Sequence, residues 1–359
     1  MNENTIYADD DFECGNVLGS HSGIHKITGY YCGLLFLPPE FSSKLNCIFT
    51  VYLHHSSDRH AVDSQTLYAP LVKEFEFLLK TGVHLKTETY EGPVHFPLAL
   101  LQGDNVGLHQ MLGLIEGFTG NHPCRYCNVY RPDMQILCSE DKSLLRDKEN
   151  YLQHLDFLKI NPNLDCASLT GIRKPCAWNE VPNVDFLENT GVGRLASGRF
   201  EGVCKYDMRF IINYYIRNQT SSLSLLNNRS EFYDYGPLDK SNKPPLLTFY
   251  KKDVIRLKMS GSEMTHFMKY FGLLAADLLP EGDPVGRLFI VLRKIIDNLL
   301  APVNFKDHLI ILENLIEEHH TLYLQWSEDK TLKNKQHHSS SAVESSVFRV
   351  SHVIPASTE

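Results

Sequence analysis

Acidic residues gather near the start of the chain. Asp9, Asp10 and Asp11 are followed by Glu13, and Asp104 closes an apolar run in Gly103-Asp-Asn105. Two carboxylates at the ends of neighbouring strands suit Mg²⁺, a hard cation that prefers oxygen ligands and keeps waters. Two such ions can activate an attacking oxygen and stabilise a leaving oxygen at a phosphodiester. The plainer alternative is that the cluster is a solvated loop tip and Gly-Asp-Asn a turn.

A second grouping is Pro123-Cys-Arg-Tyr-Cys127. Two thiolates separated by two residues can share one tetrahedral zinc, and the pair supplies half a site. Cys176 lies downstream, with Cys138, Cys166 and His154 between. Cys124, Cys127 and Cys176 are the expected ligands, with a fourth unidentified. The alternative is a pair of buried thiols without metal. The histidine pairs His54-His55, His319-His320 and His337-His338 read as surface residues, because adjacent side chains point apart and chelate poorly. Trp178 and Trp326 read as packing residues. No phosphate-binding glycine loop and no nucleophile elbow occurs.

The elements that must position these residues follow from the apolar pattern. Asn4–Ala8 is a short strand leading into the acids. Ile24–Leu37 is apolar and stops at Pro38-Pro39, and Leu45–Leu53 is β-branched and aromatic. Leu67–Lys80 places Leu71, Phe75, Leu78 and Leu79 on one helical face, with Gly82 where a C-cap belongs. Val83–Thr89 and Phe96–Leu101 are further strands, and Val106–Phe118 is a helix. Three strands, a helix, a strand pair, a carboxylate and a helix is the order of the first part of a ribonuclease-H-like domain. In that topology the first strand and the strand ending at Asp104 are neighbours.

Residues 119–190 hold loops, prolines and five of the nine cysteines. From about 203 the pattern is helical, at Val203–Arg217, Glu263–Leu279, Leu288–Leu300 and Asp307–Leu324, with Gln219–Pro245 as a polar loop. The expected organisation is therefore an α/β, ribonuclease-H-like first part over 1–118 and a cysteine-containing, zinc-binding insertion over 119–190. A mainly helical remainder follows over 191–336, then a disordered or aberrant tail over 337–359.

With 359 residues, 43% of them hydrophobic, wholesale disorder is excluded. A net charge of -8 argues mildly against a free-standing nucleic-acid binder. No uncharged apolar run approaches the ~20 residues needed to span a bilayer. The opening segment has neither a basic start nor an apolar core. The expectation is a nuclear or cytoplasmic protein, not secreted and without a membrane partner, whose cysteines are reduced thiols or metal ligands.

Several stretches resemble transposase-derived proteins of animal genomes, in the group related to the plant CACTA elements. They are Tyr7-Ala-Asp-Asp-Asp-Phe-Glu-Cys-Gly-Asn-Val-Leu-Gly-Ser20 with His25-Lys26, Leu101-Gln-Gly-Asp-Asn-Val-Gly-Leu-His109, Cys124-Arg-Tyr-Cys127, Arg146-Asp-Lys-Glu-Asn-Tyr151, Gly171-Ile-Arg-Lys-Pro-Cys176, Glu201-Gly-Val203 and Leu257-Lys-Met-Ser-Gly-Ser-Glu-Met264. The resemblance covers about 6–192 and 201–336. It implies a ribonuclease-H-like core that cuts and joins DNA with a DDE/D triad and Mg²⁺, and a zinc-binding insertion after the second acid. Carried onto this chain, the triad is Asp10, Asp104 and Glu201, with Asp11 the rival, cofactor-binding register. DNA, reached through additional modules, and a homo-oligomer are the implied partners.

The departures bear on activity. Where the resembled proteins carry an aspartate and a Met/Leu-His pair before Glu-Gly-Val, this chain has Gly193-Arg-Leu-Ala-Ser-Gly-Arg-Phe200. Codons for that window, read one base later, allow Asp-Val-Leu-His-Gln-Asp-Val. Compensating one-base frameshifts would explain it, and the coding DNA tests this directly. Two arginines then stand beside the expected third acid and compete with Mg²⁺. The expectation is a transposase-derived protein without cleavage activity. The alternatives are a non-catalytic zinc-stabilised binding module and a decayed gene product.

Overall fold

The computed structural model describes residues 5–14, 25–34, 37–42, 44–162, 164–185, 187, 189–192, 197–218, 222–251, 254–301 and 306–338. It is mixed α/β and divides into two compact units. One comprises Met1–Tyr130 with Leu144–Arg194, the other Arg131–Ser143 with Leu195–Ser351.

The first unit is built on a five-stranded sheet. Its strands are β1 (Thr5–Glu13), β2 (Lys26–Leu34), β3 (Ile48–His55), β4 (Leu98–Gly103) and β5 (Thr190–Val192), in the order β3-β2-β1-β4-β5. β1 runs antiparallel to β2, with Asp10 opposite Gly29 and Asp11 opposite Thr28. β2 runs antiparallel to β3, with a bulge after Tyr30. β1 and β4 are parallel, Tyr7 beside Leu101 and Ala8 beside Gln102, and β4 and β5 are also parallel. The first strand and the one ending before Asp104 are thus hydrogen-bonded neighbours. The expected strand Asn4–Ala8 is longer than its apolar residues suggest. Backbone pairing with β2 carries it through all three aspartates, so they belong to a strand and not to a loop tip.

One face of the sheet is covered by helix α1 (Ser64–Lys80), capped by the Asp63 carboxylate, which accepts from Thr66 N. Its apolar stripe Leu67, Leu71 and Phe75 joins Tyr30, Leu101, Leu108 and Trp178 in one core. Tyr30 Oη sits between His54 Nε2 at 3.1 Å and Tyr68 Oη at 3.0 Å, which satisfies its buried hydroxyl.

Helix α2 (Asn105–Met111) is shorter than the expected Val106–Phe118. Gly113 takes φ +71°, and its carbonyl accepts from Arg173 N and Lys174 N. An added Cβ would lie 2.3 Å from the Lys174 carbonyl oxygen. Gly113→Ala should therefore cost about 1–3 kcal/mol from left-handed strain alone, with the clash in addition. A thermal melt checks this, and an unchanged midpoint would show the turn to be replaceable.

The segment expected to be loops also holds helix α3 (Lys148–Ile160), capped by Asp147. It buries Tyr151 and Leu155 in the core, and the half-buried Leu158 packs against it.

The second unit is helical: α4 (Ser197–Arg217), α5 (Leu223–Phe232), α6 (Gly261–Ala275), α7 (Pro284–Leu299) and α8 (Lys306–Trp326). Met208, Ile211, Ile212, Met264, Phe267, Phe271, Leu288 and Leu292 form its core. Val291 and Ile295 of α7 meet Leu312 and Ile316 of α8. α5 lies where a polar loop was expected. Ser222 caps it, accepting from Leu225 N, and Asn227 exchanges two hydrogen bonds with the Leu247 backbone. Local capping and tertiary partners hold a helix that its apolar content does not announce. Among the described residues no helix is long and apolar enough to cross a membrane.

Candidate metal centre

Cys124 and Cys127 sit in a tight knuckle of the first unit and are 1% and 3% exposed. Two backbone links pin the knuckle to the following strand-like segment: Asn128 N donates to Leu144 O, and Arg146 N to Tyr126 O. Tyr126 N points at Cys124 Sγ, 3.4 Å away, a donor that favours a thiolate there. The buried Arg146 guanidinium donates from Nε to Cys124 O and from Nη2 to Thr170 O.

The Cys127 thiol is pushed far above its usual range. Its hydrogen bond with the Cys124 sulfur is the largest cause, then burial, then repulsion from Cys124. Two buried thiols this close do not both ionise on their own. A divalent cation between them removes that penalty, which is the condition for thiolate ligation.

Cys124 and Cys127 bring two buried sulfurs close together, and this pair could hold a metal ion. Paired thiolate sulfurs are donors for zinc, not for Mg²⁺. The donors therefore fit zinc. Cys176 does not join them. Its sulfur is packed in the apolar core with Trp178 and Ile172, where burial pushes the thiol up to about 12. The expected third ligand is a core residue here.

His337 itself is held by contacts within the second unit. Asp207 of α4, fully buried, accepts from Gln336 Nε2 at 2.7 Å and lies 2.8 Å from His319 Nε2. Gln336 Oε1 accepts from Lys333 N, closing the turn that carries His337. His320 Nδ1 donates to Cys138 O at 2.9 Å, and burial pulls its pKa down to about 3, so it is neutral. The four histidines of α8 and this turn are 1–4% exposed, so the surface reading of those pairs is wrong. Neither Asp207 nor Gln336 carried any signal in the sequence, because an isolated acid on an amphipathic helix usually marks its solvated face.

The carboxylates expected to hold Mg²⁺ are engaged otherwise. Asp11 Oδ1 accepts from Thr28 Oγ1 at 2.7 Å, and Oδ2 pairs with Arg59 Nη2 at 2.5 Å. Burial raises the Asp11 pKa, but the Thr28 hydrogen bond and the Arg59 guanidinium together bring it below the usual carboxylate value. Asp104 is exposed and caps α2, accepting from Gly107 N at 2.6 Å. Neither belongs to a group of three or more close His, Cys, Asp or Glu ligand atoms among the described residues. Mg²⁺ at these positions thus has no support: Asp11 of β1 is already paired with an arginine, and Asp104 is used as a helix cap. The side chains of Asp10 and Glu201, and residues 193–196, lie outside the described residues.

No protein-family model matches this chain, and no curated protein matches it.

Proposed function

We propose that the chain is transposase-derived, with a ribonuclease-H-like first unit, and now serves as a zinc-stabilised protein that does not cleave DNA. The observation that carries the reading is the order of the sheet. Three antiparallel strands are followed by two parallel ones, and the acidic strand β1 lies directly beside the strand that ends at Asp104. Such a sheet brings acids distant in sequence to one edge, as phosphoryl transfer on DNA requires.

The Asp11–Arg59 pair supports loss of cleavage. Arg59 also donates to Gln110 Oε1 of α2 and from Nε to Ser56 O, so the guanidinium is fixed on three sides. A cation would have to displace it to reach Asp11. DNA remains the partner class that descent implies, and self-association the assembly it implies.

Incubation of the purified chain with supercoiled plasmid and with duplex oligonucleotides, in Mg²⁺ or Mn²⁺, should give no nicks above a no-protein control. Nicking that is lost on Asp104→Ala would overturn the non-cleaving reading and restore the enzyme. Zinc binding without nuclease activity favours the binding-module role.

A further inference from the structure

The first unit holds a second buried guanidinium, Arg125, between the two cysteines of the knuckle. It is 2% exposed, and among the described residues no carboxylate pairs with it. Its plane lies over the Tyr126 ring, 4.4 Å from the centroid, and Nη2 donates to Tyr126 Oη at 2.7 Å. Nη1 reaches out of the knuckle to Asn105 Oδ1 at 2.8 Å. Asn105 is the first residue of α2, immediately after the capping Asp104.

A buried, always-charged group fixed by neutral partners is costly unless its position serves something. Here one end of the fork is locked by the knuckle and the other holds the start of a two-turn helix. That helix is too short to be stable by itself. Its first turn depends on the Asp104 cap and on the Asn105 contact.

We infer that Arg125 relays the metal state of the Cys124–Cys127 centre to the first turn of the helix capped by Asp104. The inference rests on the reading of the cysteine pair as a metal centre. With zinc bound, the backbone of 124–127 is fixed, Arg125 has one position, and Asn105 is held. Without metal the knuckle loosens, the fork loses its geometry, and the Asp104 carboxylate loses a fixed place at the end of β4. Arg125 is a positioning residue, acting on Asp104 through Asn105.

The test is amide hydrogen exchange on the full chain, zinc-loaded and chelator-treated, with metal content measured in parallel. In the wild type, removing zinc should speed exchange at Gly107–Met111 about tenfold, the scale of one charge-assisted hydrogen bond, while α1 stays unchanged. Asn105→Ala, which leaves the buried arginine in place, should keep its zinc yet exchange fast at Gly107–Met111 with or without metal. Arg125→Met should behave in the same way. Asn105→Ala that still responds to zinc like the wild type overturns the relay, as does a wild type that binds zinc without any response at Gly107–Met111. A wild type that binds no zinc overturns the metal reading and the relay together.

Discussion

Asp207→Ala should cost the second unit about 3–5 kcal/mol, since it removes the hydrogen-bond partner of two buried polar groups at once. The carboxylate is fully buried and both its oxygens are used, one by His319 and one by Gln336. Removing it leaves an imidazole and an amide buried without their acceptor and opens a cavity beside Met208 and Tyr323. Against a total stability of ~5–15 kcal/mol for a typical domain, that loss is large. Asp207→Asn should cost less, about 1–2 kcal/mol. The amide can still accept from Gln336 and donate to the His319 ring nitrogen. Urea unfolding followed by fluorescence separates the two units, because Trp178 belongs to the first and Trp326 to the second. The shift should appear in the Trp326 signal of a Trp178→Phe background. An Asp207→Ala midpoint within error of the parent would mean that the pair contributes nothing net.

Withdrawal of zinc should have the second large effect. A ligand that binds only the folded state stabilises it by about 4 kcal/mol at a free concentration a thousand times its Kd. Chelation should therefore lower the melting temperature, and zinc added back should restore it. Affinity should fall as pH falls, since binding zinc displaces roughly two thiol protons, one from each cysteine. The sign follows from Cys127, whose proton is held unusually firmly in the absence of metal. Lower pH favours that protonated, metal-free form. Calorimetric titrations in buffers of different ionisation enthalpy would count the released protons. Proton-neutral binding would argue against thiolate ligation.

The sequence was legible where local pattern and tertiary demand agree. The stripe of α1, the β-branched run of β3, and the adjacency of β1 and β4 all follow from periodicity and element order. It misled where backbone geometry or long-range partners decide. α2 ends early because Gly113 turns left-handed against Lys174, and a glycine alone does not announce that φ. α5 is held by a serine cap and an asparagine clasp within a polar stretch. At the metal centre, Cys-x-x-Cys marked half the site, because its spacing is itself a geometric constraint. The buried turn at His337 could not be seen: it is held by Asp207, far away in the chain, through Gln336. Cys176 drew attention by type alone, and burial beside Trp178 gives it a different role. Arg59 was invisible as the partner of Asp11 because nothing in its spacing points to β1.

The central claim is that the cysteine knuckle holds one zinc ion. The most direct measurement is metal analysis of the purified chain, together with the absorption spectrum of its cobalt-substituted form. The account predicts one zinc per chain and, with cobalt, a thiolate-to-metal charge-transfer band and tetrahedral visible bands. Both should be lost in Cys124→Ser and in Cys127→Ser, and both should persist in Cys176→Ser. A folded chain that retains no zinc, or one that keeps its full complement in Cys124→Ser, would contradict it.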